Sequence, residues 1–250
     1  MDTRFGWADG ALREVENLPS GQVIAADSWL VSDGRTVAHD KHHQRFSEAV
    51  GGLPEGFWHA VTRATPHTDE WFPRVEYLET GPSREFFFTL RPAPPRALSA
   101  VVWSSPDDPR TAPRVKGPDL ARLGALRERA QSLGADEAVV LSDGMVAEGA
   151  YSTVIAWRED LGQVWTMDAP RIPSVTEEVV LEICRGKGLE IRRVAVTPEE
   201  LEGSEMWVVS ALHGLRHVSS WVNGPALAPS SSLHAHLQEA WWGGAQRLKT

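Results

Sequence analysis

Apolar residues return along this chain at two different spacings, and the changes between them mark out its elements. Leu120, Leu123, Leu126, Ala130 and Leu133 recur every three or four positions, the period of one helix face. Pro118 and Asp119 suit the first turn of that helix, and Gly134 suits its end. A second helix is expected from residue 175 to about 185, with Val175, Val179, Val180 and Ile183 on its apolar side. Shorter helices are expected over residues 42–50 and 56–63. Apolar runs bounded by turn residues predict strands over 23–31, 74–79, 84–90, 98–103, 138–141, 145 onward, 152–157, 190–196 and 206–209. Asp33-Gly34 and Asp143-Gly144 sit between such runs and read as hairpin turns. Hairpins interleaved with helices predict an α+β fold rather than a doubly wound sheet.

The pattern lapses at residues 104–114, SSPDDPRTAPR, which are rich in Pro, Asp and Ser. This stretch reads as an exposed linker. It divides the chain into an N-terminal α+β domain (1–103), a linker (104–115) and a C-terminal α+β domain (116–250). Residues 91–96, RPAPPR, read as a loop between strands. A length of 250 residues allows two small domains or one large one, with a real core in either case.

Charge and composition narrow the partners. A net charge of -9 argues against a broad surface for nucleic acid, though not against a local pocket for a small anion. No stretch approaches the roughly 20 apolar residues of a membrane helix, and MDTRFGWADG, with acidic residues and no long apolar run, is not expected to be a signal peptide. The single cysteine, Cys184, cannot form an intrachain disulfide and reads as a small core residue. A cytoplasmic protein with neither nucleic acid nor membrane as partner is expected. The 11 Trp fit either the core or an indole-lined cleft.

Several residues could carry chemistry, each beside a plainer reading. Lys116 stands where the linker meets a helix. Lysine is normally a solvated surface residue, but one lining a cleft loses proton affinity and becomes a nucleophile. Glu148, in Val146-Ala147-Glu148-Gly149-Ala150, is a carboxylate inside an apolar strand pattern. It either marks a bulge or an edge facing water, or points into a site, with Gly149 permitting close backbone approach. Ser174 and Glu177 have the spacing of a capping box; the same helix start offers free amides to an anion. Arg45 could grip a phosphate bidentately. Ser210-Ala211 follows a strand and could add amides to a phosphate cup. His42-His43 and His234-x-His236 lack a convincing second ligand pair, so no metal is expected.

Taken together, these pieces resemble the class-IV aminotransferase family, the fold-type IV pyridoxal-phosphate enzymes, from about residue 25 to 218. The densest stretch runs from Lys116 through Gly134-Ala135-Asp136-Glu137-Ala138 to Asp143-Gly144-Met145-Val146-Ala147-Glu148-Gly149. The resemblance implies a two-domain architecture similar to D-amino-acid aminotransferase, pyridoxal 5'-phosphate as cofactor and a homodimer. It implies that Lys116 is the Schiff-base lysine and Glu148 the partner of the ring nitrogen. His42-x-x-Arg45-Phe46 looks like the family's His-x-x-Arg-Leu, making Arg45 a phosphate ligand. Ser174-Val175-Thr176 stands where Gly-Ile-Thr is usual, so Val175 and Thr176 should meet the phosphate. Ser210-Ala211 stands where transaminases often have Gly-Thr and lyases Asn-Ala followed by Leu. Arg91 and Arg96 are candidate partners of a substrate carboxylate.

Three departures stand out. Ala211 lacks a hydroxyl, Gly117-Pro118-Asp119 follows the lysine where a tyrosine or asparagine is common, and Ala26-Asp27 replaces a phenylalanine-glutamate pair. The implied substrate is an amino acid. Lyase chemistry on an aminated chorismate-like substrate is slightly favoured, an amino-acid transaminase (branched-chain or D-amino acid) is the alternative, and a protein that keeps cofactor without turnover is the third.

Overall fold

The computed structural model describes residues 2–249, and among these the chain forms five helices and three sheets. The fold is α+β, as the pattern implies. Contacts divide it into two compact units. One comprises Met1–Pro95, Val115–Pro118 and Gly244–Thr250; the other comprises Arg96–Arg114 and Asp119–Gly243.

The first unit is built on an antiparallel sheet in the order Ala11–Val15, Thr3–Ala8, Ser83–Leu90, Arg74–Thr80, Gln22–Ser28. A smaller sheet joins Gln246–Arg247, Arg35–Thr36, Val31–Ser32 and Glu70–Trp71. Helices α1 (His39–Val50) and α2 (Phe57–Ala64) supply Phe46, Phe57 and Val61 to a core with Trp29, Val75, Phe88 and Leu248. The expected strand 23–31 is really two, Gln22–Ser28 and Val31–Ser32, in different sheets.

The Asp-Gly dipeptides make the turns their chemistry suits. Asp33 (φ 48°) and Gly34 (φ 70°) link the pair Ser32 and Arg35. Asp143 (φ 51°) and Gly144 (φ 79°) link Ser142 and Met145. Asp9 (φ 52°) and Gly10 (φ 74°) do the same between Ala8 and Ala11. Two central residues with positive φ match the right-handed twist of the flanking strands.

The second unit carries a mixed sheet in the order Met145–Gly149, Glu137–Ser142, Ser99–Ser105, Gly214–Val222, Glu205–Ser210, Thr153–Arg158, Gln163–Met167, Glu190–Val194. Its helices are α3 (Leu120–Ser132), α4 (Val175–Gly186) and α5 (Ser232–Gly243). The buried face of α4 comprises Val175, Thr176, Glu177, Val180, Leu181 and Cys184; Val179 and Ile183 are only half-buried. Cys184 is fully buried, and that burial pushes its thiol up to about 11.

These units run differently from the expected division at 103 and 116. The strand Ser99–Ser105 lies between two partners of the second sheet, parallel to both Glu137–Ser142 and Gly214–Val222. Residues 104–114 do not behave as a free exposed linker either. Ser105 is buried, and the Asp119 carboxylate accepts the amides of Thr111 and Ala112 and the Thr111 hydroxyl. The Arg110 side chain is only 1% exposed. The stretch is thus pinned by hydrogen bonds to Asp119, Glu148 and Pro170, while Pro106, Asp107, Asp108, Thr111 and Arg114 stay exposed.

Candidate active site

The expected site residues fall into two groups, one in each unit. Lys116 and Arg45 belong to the first. The carbonyl of Lys116 accepts the amide of Ala26 at 2.7 Å. Gly117 follows at φ 143°, where a Cβ would lie 2.7 Å from the Cα of Ala25. Only glycine lets the chain come this close to the strand Gln22–Ser28. Lys116 itself is half-buried.

The same strand carries Asp27, which is fully buried. Arg45 donates to it through Nε at 2.8 Å and Nη2 at 2.7 Å. His42 Nδ1 lies 2.9 Å from Oδ1, and the amide of Ser28 donates to Oδ1 at 2.7 Å. Burial alone would raise the Asp27 pKa, but Arg45 and His42 outweigh it and hold the carboxyl well below the usual range. Burial also lowers the pKa of His42, which favours the neutral ring with Nδ1–H donating to Asp27. Arg45 therefore already has an internal counterion, Asp27, where phosphate binding was expected.

Glu148 belongs to the second unit. Its strand lies at the sheet edge, and the register with Glu137–Ser142 shifts so that Val140 faces Glu148 while Leu141 faces Val146. The bulge leaves Ala147 without an opposite residue and re-aims the strand. The plainer expectation of a bulged edge position is correct, but the side chain does not face water: Glu148 is 2% exposed. Oε1 accepts Nη1 of Arg110 at 2.5 Å, and Oε2 accepts the amide of Ile172 at 3.3 Å. Burial raises its pKa to about 7 despite Arg110.

Ile172 leads into α4. Ser174 caps that helix by accepting the amide of Glu177 at 3.2 Å. The reciprocal half of the capping box is missing, because the Glu177 carboxylate binds Arg171 and Thr166 instead. The amides of Val175 and Thr176 lie in the first turn, with no acceptor inside their own helix. Ser210 and Ala211 sit half-buried where the strands Glu205–Ser210 and Gly214–Val222 turn, and the Ser210 hydroxyl accepts the His213 amide at 3.4 Å.

The arginines expected for a substrate carboxylate have structural partners. Arg91 donates to the Phe72 carbonyl at 2.8 Å and to the Ser28 hydroxyl at 3.3 Å, and stacks over the Phe72 ring. Arg96, exposed, lies over the ring of Trp242. The residue that sequence reasoning missed is Arg110. It was hidden in a segment whose Pro, Asp and Ser content signalled exposure; the basic residue amid acidic ones was its only trace. Among the described residues no group of His, Cys, Asp and Glu could hold a metal ion.

Residues 25–221 match the family described as amino-transferase class IV. The chain belongs to that family of enzymes. A curated relative, D-alanine aminotransferase of Bacillus licheniformis, is 29% identical over 97 residues, which span 38% of this chain and 34% of that protein. Solved structures share the fold over nearly the whole chain. A branched-chain amino acid aminotransferase from T.th., in complex with N-(5'-phosphopyridoxyl)-L-glutamate, superposes with a TM-score of 0.82 at 16% identity, covering 99% of this chain and 98% of that one. The PLP-bound form of a hypothetical aminotransferase from Mycobacterium tuberculosis gives 0.77 at 21% identity, covering 96% and 98%.

Proposed function

We propose that this chain is a pyridoxal-phosphate enzyme acting on an amino acid, with Lys116 as the cofactor's attachment point and Glu148 as the partner of its ring nitrogen. The observation that carries the reading is Glu148. A buried carboxylate fixed by one guanidinium and one amide, with lone pairs left over, is what a protonated ring nitrogen needs. Val175 and Thr176 would offer amides to the phosphate at the start of α4. Ser210 and Ala211 would line its other side, and Arg45 would add charge that Asp27 already moderates. The donor set of a lysine amine, a buried carboxylate, helix-start amides and an arginine fits such a cofactor.

When bound, the cofactor supplies an electron sink for a carbanion at the substrate α-carbon. The chain's own tasks are then few. Lys116, once its amine is free, takes the α-proton and returns it as general base and acid. Its backbone, locked to Ala26, limits where that amine can swing. Glu148 keeps the ring nitrogen protonated.

Where the proton is returned decides between two outcomes. Amino transfer is supported by the matched relatives, which are named for it. Elimination from an aminated chorismate-like substrate is supported by Ser210-Ala211-Leu212, which lacks the threonine hydroxyl frequent in transaminases. A homodimer is the default assembly for such an enzyme.

The test is a visible spectrum of the purified protein with added pyridoxal phosphate. After unbound cofactor is removed, an imine band is expected in the wild type and none in Lys116→Ala; a folded wild type that stays colourless refutes the cofactor reading. Adding an amino-acid panel with 2-oxoglutarate then separates the outcomes, because only amino transfer consumes the keto-acid acceptor. A loaded protein whose band no substrate alters would be a binder without turnover.

A further inference from the structure

Resting on that cofactor reading, we propose that Arg110, anchored by Asp108, is a positioning residue that keeps the proton shared by Glu148 and the cofactor on the ring nitrogen. Arg110 touches no reacting atom and acts only through Glu148. Its guanidinium closes a two-armed grip on Asp108, Nε to Oδ1 at 2.8 Å and Nη2 to Oδ2 at 2.7 Å. That leaves Nη1, which bonds both Glu148 Oε1 at 2.5 Å and the Pro170 carbonyl at 2.9 Å. The planar fork fixes the direction of the remaining arm, which a flexible ammonium could not do as firmly.

The charge argument follows from the same contacts. A carboxyl and a ring nitrogen facing each other compete for one proton. Burial strengthens the carboxyl's hold on it, since the charged form is poorly solvated. Arg110 opposes this most strongly, followed by the Ile172 amide and by Arg171, itself tied to Glu177. Because Arg110 bonds the carboxylate directly, its charge lowers the proton affinity of Glu148 more than that of a ring one group further away. Without it, the proton would settle on the carboxyl, the ring would be neutral, and its pull on electrons would weaken.

The decisive measurement is the 15N resonance of pyridoxal phosphate labelled at the ring nitrogen and bound to the holoenzyme at neutral pH. Wild type is expected to show the protonated signature. Arg110→Gln, which keeps hydrogen-bond donors on a shorter stem but no charge, is expected to show the unprotonated one. Arg110→Lys, which keeps the charge but loses the fork, is expected to fall between wild type and Arg110→Gln. A second readout works without cofactor: 13C titration of the Glu148 carboxyl in the apoprotein, assigned through Glu148→Gln. Its midpoint should lie at least about one pH unit higher in Arg110→Gln than in Arg110→Lys. Circular dichroism checks the fold of each variant.

A folded Arg110→Gln whose ring nitrogen remains protonated overturns the proposal and leaves the cofactor reading intact. So does a Glu148 midpoint that does not differ between the two variants, or a wild type that binds cofactor with an unprotonated ring. A wild type that takes up no cofactor overturns both.

Discussion

Two buried carboxylates in this protein each meet an arginine, and they end up on opposite sides of their ordinary pKa. Asp27 collects four donors, from both arms of Arg45, the His42 ring and the Ser28 amide. Its charge is thereby held firmly. Glu148 receives only one arm of its arginine, because Asp108 takes the others, plus one long bond from Ile172. Its charge is held weakly, and burial lifts its pKa to about 7. An arginine beside a carboxylate is therefore no guide by itself. What matters is how many of its donors the carboxylate receives and whether a rival acceptor competes for them. One pair is a fixture, and the other is left poised to respond to a further cation.

Replacing each acid separately tests this contrast hardest. Glu148→Gln should preserve the fold and the visible band yet lower turnover on the order of a hundredfold or more, since a neutral amide cannot keep the ring nitrogen charged. Steady-state rates that match wild type would remove the electronic role proposed for Glu148. Asp27→Ala should instead fail in stability, by about 3–5 kcal/mol, because it strands the buried side of Arg45. Denaturant unfolding of the apoprotein measures this; a loss below about 1 kcal/mol would mean the pair is not a fixture.

The pH dependence should separate the two acids next. The folded pKa of Glu148, about 7, lies above the ordinary 4.5 of a glutamate. Its contribution to stability is then full below about pH 4.5 and is lost as pH rises through about 7. Between about pH 4.5 and 8.5 the apoprotein should lose up to about 3 kcal/mol relative to Glu148→Gln. Asp27 carries the opposite sign: its folded pKa is depressed, so its contribution is present above the ordinary carboxylate range and declines only in strong acid. Melting temperatures of wild type and Glu148→Gln across that range give the comparison, and parallel curves would contradict it.

The smallest expected effect concerns α1, which presents His42 and Arg45 to Asp27. Ala38 precedes that helix at φ 50°, ψ 46°, a left-handed conformation that costs a residue with a Cβ about 1–2 kcal/mol. Ala38→Gly should therefore raise stability by up to about 1 kcal/mol, after the greater freedom of glycine in the unfolded chain is deducted. A lowered melting temperature would show that the alanine methyl contributes packing instead.

Much of this architecture was written in local pattern. The spacing of Leu120, Leu123 and Ala130 and the run from Val175 specified α3 and α4 within a residue or two at most bounds. Asp33-Gly34 and Asp143-Gly144 announced their turns. Asp9-Gly10 carries the same signal and gives the same turn, yet the hairpin Thr3–Ala8 with Ala11–Val15 was not anticipated. The small strands around Glu70–Trp71 and Gln246–Arg247 were illegible for a different reason. Two residues hold no periodicity, and their pairing depends on partners far away in the chain. Arg110 was missed because composition records how polar a segment is, not whether its polar groups satisfy one another. The bulge at Glu148 was one of the readings its apolar run allowed, but the burial of the side chain was not legible there.

The strand Gln246–Arg247 has a consequence for how the chain is made. It pairs with Arg35–Thr36, while Leu248 enters the first core and its amide bonds the Gly34 carbonyl. Arg35 also donates to the carbonyl of Ala245, which lies 210 positions further along. During synthesis the earlier segment emerges from the ribosome first but must wait, with a sheet edge and a core position unfilled, until the whole second unit has been translated. Completion of the first unit is thereby tied to the arrival of a distant segment. Ribosome-stalled chains that stop short of residue 245 should remain protease-sensitive around Arg35, although every earlier residue of that unit is already in place.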